Sequence, residues 1–222
     1  MKRERKAEGA PSSLSRRSFL KGAGGAAAGG VLAGELASAA TTKAGSGPAR
    51  TLEEKVTVAL RLNGEPLELE VEPRTTLLSA LRVNAGHTAA KPVCERGNCG
   101  ACTVLMDDEP VYSCLTLAVR AAGKDVRTAG GLAEGEELSP VQQAMVDEDG
   151  MMCGFCTPGF VMSVTACLEK NPRATDAEVR AACSGNLCRC GTYPHVFSAA
   201  LEAGRQMVAQ GEGGGGRPGG GR

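Results

Sequence analysis

The spacing of the cysteines constrains this chain more than any other feature. Between residues 94 and 102 it reads Cys94-Glu95-Arg96-Gly97-Asn98-Cys99-Gly100-Ala101-Cys102, and Cys114 follows after eleven intervening residues. This is the C-x4-C-x2-C…C spacing of plant-type [2Fe-2S] ligation, in which one tight loop presents several thiolates and a neighbouring strand supplies the last. Gly97 and Gly100 let such a loop take positive φ and bring backbone N–H groups close to sulfur.

A second set consists of Cys153-Gly154-Phe155-Cys156 and Cys188-Arg189-Cys190. Alone, the C-x-x-C would equally suit a redox disulfide or half of a zinc site. Ten cysteines in an exported chain could also form five disulfides, or serve a zinc-bound interaction module. Against disulfides, Cys188 and Cys190 are too close in sequence for an easy mutual bridge. Cys167 and Cys183 fall among apolar or small residues of expected helices and read as packing residues. His87 and His195 lie at no spacing that would make them cluster ligands.

The N-terminus is basic and carries Ser15-Arg16-Arg17-Ser18-Phe19-Leu20-Lys21, a run of Gly and Ala, and then Ala37-Ser38-Ala39-Ala40. That order resembles a twin-arginine export signal, and Glu35 with the many glycines makes the run too polar to span a bilayer. Export of an already folded protein suits a chain whose cofactor must be inserted in the cytoplasm. The formal net charge is zero, and no basic run outside the leader suggests nucleic acid as a partner. With four Phe, two Tyr and no Trp in 222 residues, the cores are small.

Val56, Val58, Leu60 and Leu62 alternate as a strand, Asn63-Gly64 signals a hairpin, and Leu67, Leu69 and Val71 alternate again before Pro73. Thr75 or Thr76 caps a short helix through Leu77, Leu78, Leu81 and Val83, stopping near Gly86. After the cysteine loop, Thr103 to Leu105 reads as a strand, Asp107 to Pro110 as a turn and Val111 to Leu117 as a returning strand. Ser139-Pro140 starts a helix. Further helices are expected over Pro158 to Lys170, from the capping box Thr175-Asp176-Ala177-Glu178 to about Ser184, and from about Pro194 to Ala209. Four helices in so short a stretch suggest a small bundle.

Taken with Thr103-Val104, Thr157-Pro158-Gly159, Gly185-Asn186-Leu187 and Gly191, the two cysteine sets resemble the small iron-sulfur subunit of the xanthine oxidase and aldehyde oxidoreductase family of molybdenum hydroxylases. The resemblance covers about Lys55 to Met207. It implies an α+β chain: an N-terminal β-grasp plant-type [2Fe-2S] ferredoxin domain followed by an all-α four-helix [2Fe-2S]-binding domain. The expected layout is an export signal over 1–40, a linker over 41–53, the ferredoxin-like domain over 54–133, the helical domain over 134–209 and a glycine-rich disordered tail over 210–222.

The resemblance further implies a non-catalytic subunit that passes electrons and has no catalytic residue of its own. Cys94, Cys99, Cys102 and Cys114 would hold one cluster, and Cys153, Cys156, Cys188 and Cys190 the other. A large molybdopterin-binding subunit, an FAD-binding subunit or cytochrome acceptor, the twin-arginine translocase and a periplasmic location are the implied partners and destination. Electrons would pass from the molybdopterin through the helical-domain cluster to the loop cluster. Cys190 would also contact the pterin. Met152 stands where relatives carry a pterin-bonding glutamine, and a thioether cannot donate that bond. Val93 and Glu95 replace glycines that often flank the first cysteine, and Gly191-Thr192-Tyr193-Pro194 resembles the variant found in relatives acting on aldehydes or nitrogen heterocycles.

Overall fold

The computed structural model describes residues 54–213. The leader, the linker and the tail beyond residue 213 lie outside the described residues. Strands β1 (Val56–Leu62) and β2 (Glu65–Val71) pair antiparallel, with Val56 opposite Val71 and Leu62 opposite Glu65. Asn63 and Gly64 both have positive φ, 52° and 89°, as a two-residue turn matched to strand twist requires. Val58, Leu60 and Leu62 are buried while Thr57, Ala59 and Arg61 are exposed, so the period-two pattern gives the sheet one inner face.

Strands β3 (Thr103–Met106), β4 (Glu109–Tyr112) and β5 (Asp125–Arg127) complete a sheet of order β2-β1-β5-β3-β4. Only β1 and β5 run parallel. The short β5 was not expected from sequence: one apolar residue between Asp125 and Arg127 carries no periodicity, and its neighbours β1 and β3 define it. The β3–β4 turn is narrower than expected. Asp107 and Asp108 alone turn, both at positive φ, while Glu109 and Pro110 already pair with Met106 and Leu105. Pro110 is tolerated because β4 is an edge strand.

Two other expectations need correction. The first helix is a single α-turn, α1 (Leu77–Ser79), capped by Thr76 and continued by a wider π-turn over Ala80–Asn84, where the Ala85 N–H reaches back to the Ala80 carbonyl. The strand expected from Val111 to Leu117 ends at Tyr112. The Tyr112 carbonyl there accepts from the N–H groups of Leu115 and Thr116, so Cys114 sits on a turn.

The helical half contains α2 (Pro140–Asp147), α3 (Thr157–Lys170), α4 (Asp176–Ala182) and α5 (Tyr193–Gly213). Ser139 with Gln142 and Thr175 with Glu178 form full capping boxes, each satisfying two end-of-helix N–H groups. Phe160, Val164, Leu168, Val179, Val196 and Ala203 fill its core, separate from the core of Val58, Leu77, Leu81, Val104 and Val126 under the sheet. A third cluster, Leu105 on β3 with Met162 and Ala166 on α3, joins the two halves. Among the described residues, no helix is long and apolar enough to cross a membrane.

Candidate metal centres

The first cysteine loop hangs between α1 and β3 on anchors at both ends. The Lys91 N–H donates to the Ala101 carbonyl, and both the N–H and hydroxyl of Ser113 donate to the Cys102 carbonyl, the hydroxyl at 2.7 Å. Glu95, Gly97 and Gly100 take positive φ of 51°, 73° and 67°, curling the loop so that its N–H groups face sulfur. The N–H of Arg96, helped by those of Asn98 and Cys99, draws the Cys94 thiol down to about 7 against the effect of burial. The N–H of Ala101 points at Cys99 and that of Gly97 at Cys114. Cys114 is pushed up to about 11, first by burial and then by the Cys102 thiol. Burial and then the Cys102, Cys99, Cys114 and Cys94 thiols push the Tyr112 phenol upward, so all four lie within electrostatic reach of that one side chain.

The second set gathers at two helix N-termini. Cys153 and Cys156 lie on the turn leading into α3, with Cys156 as its N-cap, while Cys188 and Cys190 immediately precede α5. The amide-rich starts of two long helices favour negative charge there. Burial raises the Cys188 thiol, but the Thr192 hydroxyl and N–H, the Cys156 thiol and the Cys190 N–H outweigh it and bring Cys188 down to about 7. Cys156 is pushed up to about 12 by burial and by Cys188. The Cys188 N–H donates to the Tyr193 hydroxyl at 2.9 Å, and the Tyr193 ring packs edge-on against Phe160 at 5.9 Å, tying this loop to the core.

The thiols meet in twos: Cys94 with Cys99, Cys102 with Cys114, Cys156 with Cys188, and Cys153 with Cys190. A single zinc would draw four sulfurs to within about 3.8 Å of one another. Among the described residues, no three Cys, His, Asp or Glu side chains converge in that way. Two pairs per site is instead the arrangement of a two-iron rhomb, each iron bound by two thiolates. The Cys99, Cys114, Cys156 and Cys190 thiols are each raised by the partner thiol beside them, which a cation bound between the sulfurs would relieve, so the donor set and its amide lining fit [2Fe-2S] clusters.

Cys183 is buried and is pushed up to about 12 by desolvation, whereas Cys167 is half-buried. His195 is exposed and its Nδ1 meets the Glu148 carbonyl at 2.9 Å, and His87 is also exposed. Gln142 is engaged by its capping box and the Ala129 carbonyl, and Gln143 by Asp147. Met152 is 73% exposed beside Cys153.

The sequence did not disclose how the two sites touch. The Leu187 N–H donates to the Cys99 carbonyl at 3.0 Å, and the Tyr112 hydroxyl to the Gly185 carbonyl at 3.2 Å. The Asn186 amide donates to the Gly100 carbonyl at 3.1 Å. Gly185 and Asn186 stood out as part of a motif, but their partners lie more than seventy residues away, where no local pattern could point.

Comparison with known proteins agrees with this geometry. Residues 60–132 match the family described as "2Fe-2S iron-sulfur cluster binding domain", and residues 128–201 match "[2Fe-2S] binding domain". Residues 13–33 match the twin-arginine translocation pathway signal sequence. The small subunit of nicotine 6-hydroxylase from Paenarthrobacter nicotinovorans is 45% identical over 69% of this chain and 93% of its own. The iron-sulfur-binding subunit of an aldehyde oxidoreductase from Escherichia coli is 38% identical over 86% of this chain and 88% of its own. Among solved structures, quinoline 2-oxidoreductase from Pseudomonas putida superposes with a TM-score of 0.68 at 40% identity, covering 72% of this chain and 99% of that one. With two such binding domains in tandem, the chain belongs to the iron-sulfur subunits of the xanthine oxidase and aldehyde oxidoreductase family of molybdenum hydroxylases, and it binds two [2Fe-2S] clusters.

Proposed function

We propose that Cys94, Cys99, Cys102 and Cys114 hold one cluster, that Cys153, Cys156, Cys188 and Cys190 hold the other, and that the chain relays electrons between a molybdopterin-binding large subunit and an FAD-binding subunit or other acceptor. The observation that carries this reading is the pairing of thiols within each amide-lined set. When bound, a [2Fe-2S] cluster takes up and releases one electron at a time. This chain's part is to fix the ligands, shield them and set their spacing. The Cys99 carbonyl and Leu187 N–H join the two ligand loops through one hydrogen bond, with Leu187 directly preceding Cys188.

Unequal exposure supports a direction. Cys99, Cys102 and Cys114 are buried, whereas Cys153 and Cys190 are exposed, and Met152, Phe155 (59% exposed) and Leu187 (55% exposed), which neighbour the helical-domain cysteines in sequence, are exposed as well. Apolar residues around exposed ligand thiols suit burial under another subunit, so the helical-domain set faces the molybdopterin and Cys190 lies nearest it. Met152 then adds apolar contact there without donating a hydrogen bond. Relatives named for nicotine, an aldehyde and quinoline support an aldehyde or N-heterocycle as the substrate of the complex. The twin-arginine signal supports assembly in the cytoplasm and work in the periplasm.

Two clusters require about four iron atoms and four acid-labile sulfides per chain, with two EPR signals on reduction. Cys99→Ser removes one signal and leaves the other, because the bond to Leu187 is made by the Cys99 main-chain carbonyl, which serine keeps. Zinc in place of iron would overturn the ligand assignment. Purification of the chain from its native host, fully loaded and free of any molybdenum-bearing partner, would make it a free-standing ferredoxin instead.

A further inference from the structure

We propose that Asn186 is a positioning residue whose side-chain amide sets the electronic coupling between the two clusters, an inference that rests on the ligand assignment above. Asn186 is 4% exposed and belongs to neither set of thiols. Its Nδ2 donates to the Gly100 carbonyl at 3.1 Å, and its Oδ1 accepts from the Ser163 hydroxyl at 2.8 Å. Gly100 lies between Cys99 and Cys102. Ser163 lies on α3, two turns beyond Cys156, and Asn186 itself stands two residues before Cys188. One amide therefore joins three ligand-bearing segments: the first loop, the helix that follows Cys156, and the loop that carries Cys188 and Cys190.

The chemistry of the joint specifies an amide. A carbonyl can only accept, so the group facing Gly100 must be the NH2 end, and the oxygen then faces the hydroxyl of Ser163 as acceptor. Aspartate keeps the shape and the bond from Ser163 but sets a carboxylate oxygen against the Gly100 carbonyl. Leucine fills the space and satisfies neither partner. The surroundings leave no slack: a Cβ on Gly100 would stand 2.5 Å from Asn186 Nδ2 and 2.6 Å from the Gly185 carbonyl, and a Cβ on Gly159 would stand 3.0 Å from Nδ2. Movement of Gly100 away from Asn186 also moves the adjoining Cys99 carbonyl, and with it the hydrogen bond to Leu187 that links the two ligand loops.

The readout is the magnetic interaction between the two reduced clusters, each with an unpaired spin, because their mutual splitting depends steeply on separation and on the bonds between them. Full-length protein, in the complex as purified, is reduced and examined by low-temperature EPR for the unaltered chain, Asn186→Asp, Asn186→Leu, Ser163→Ala and Ser139→Ala. The last removes the cap of α2, which touches neither Gly100 nor Asn186, and controls for loss of stability alone. The expected result is a changed splitting in both Asn186 variants, a smaller change in the same sense for Ser163→Ala, and no change for Ser139→Ala despite its lower Tm. Both clusters retained with unaltered splitting in Asn186→Asp and Asn186→Leu would overturn the proposal. If neither Asn186 variant retains its clusters, Ser163→Ala decides, and an unaltered splitting there overturns it. An unaltered chain lacking two cluster signals would overturn the ligand assignment itself.

Discussion

Gly159→Ala sets two physical effects against each other, and the structure decides the sign. Gly159 lies in the first turn of α3, where helix propensity alone says that alanine stabilises by up to about 1 kcal/mol. The added Cβ would stand 2.2 Å from the Gly100 carbonyl oxygen and 3.0 Å from both Ala101 Cα and Asn186 Nδ2. Two of these three neighbours are main chain in a loop anchored at Lys91, Thr103 and Ser113, so no side-chain rotation relieves the clash. Ordinary carbon contacts begin near ~3.5 Å, so loop and helix must part by about 1 Å. Overpacking of this kind costs at the upper end of the usual range, about 3 kcal/mol. After the propensity gain the net loss is about 2 kcal/mol, equivalent to a Tm lower by roughly 4–8 °C for a unit of this size.

The assay is thermal unfolding of the cluster-loaded protein, followed by far-UV circular dichroism and by visible absorption. Gly211→Ala is the control: it is also helical, no atom stands within 4 Å of its added Cβ, and its Tm is expected to hold or rise slightly. A Gly159→Ala protein as stable as the unaltered chain, or more so, would refute the close approach of α3 to the first cysteine loop.

Four further outcomes can be checked with less effort. Ser139→Ala breaks the capping box of α2 and costs about 1 kcal/mol, seen as a Tm lower by about 2–4 °C. Glu95→Gly relieves a non-glycine residue at φ 51°, worth about 1–2 kcal/mol, against about 0.5–1 kcal/mol of added chain entropy; a slightly raised Tm is expected, and a lowered one would show that the Glu95 side chain matters more than its backbone. Bonds from the Thr175 N–H and hydroxyl hold the Glu178 carboxyl below its ordinary 4.5, so this contribution is present above that value and lost as pH falls through the lower folded one; Glu178→Gln should flatten the fall of Tm between about pH 5 and pH 3. Burial pushes the Cys183 thiol up to about 12, so it should resist iodoacetamide near neutral pH until the protein unfolds, as mass spectrometry can read peptide by peptide.

What the sequence disclosed is what depends on neighbours along the chain. The Asn63-Gly64 hairpin and both helix-capping serine and threonine positions are local devices, and each stands where expected. Strand β5 escaped because three residues with one apolar member have no period, and only pairing with β1 and β3 makes them a strand. The strand expected to reach Leu117 stops at Tyr112 because the Tyr112 carbonyl accepts from the N–H groups of Leu115 and Thr116, a turn that no alternation pattern contains. The thiol sets were legible as sets. Their pairing within each set was not, since it follows from loop curvature at Glu95, Gly97 and Gly100 and from two helix ends meeting in space.

The approach of main chain to main chain across the seam explains why glycines and hydrogen-bonding groups stand there beside a small apolar patch. Bringing two thiol-bearing loops together requires that main chain approach main chain, so side chains must be absent where they meet. A Cβ on Gly185 would lie 1.9 Å from the Tyr112 hydroxyl, as one on Gly159 would press on the Gly100 carbonyl. Removing side chains exposes peptide groups to burial, and each buried carbonyl then needs a donor. Those of Cys99, Gly100 and Gly185 find theirs in the Leu187 N–H, the Asn186 amide and the Tyr112 hydroxyl. In all three cases donor and acceptor come from different domains, so each half completes the hydrogen bonding of the other. Beside them Leu105, Met162 and Ala166 pack as a small apolar patch shared by the two domains. Two domains with separate cores are thereby bound into a single unit at the place where their thiol-bearing loops meet.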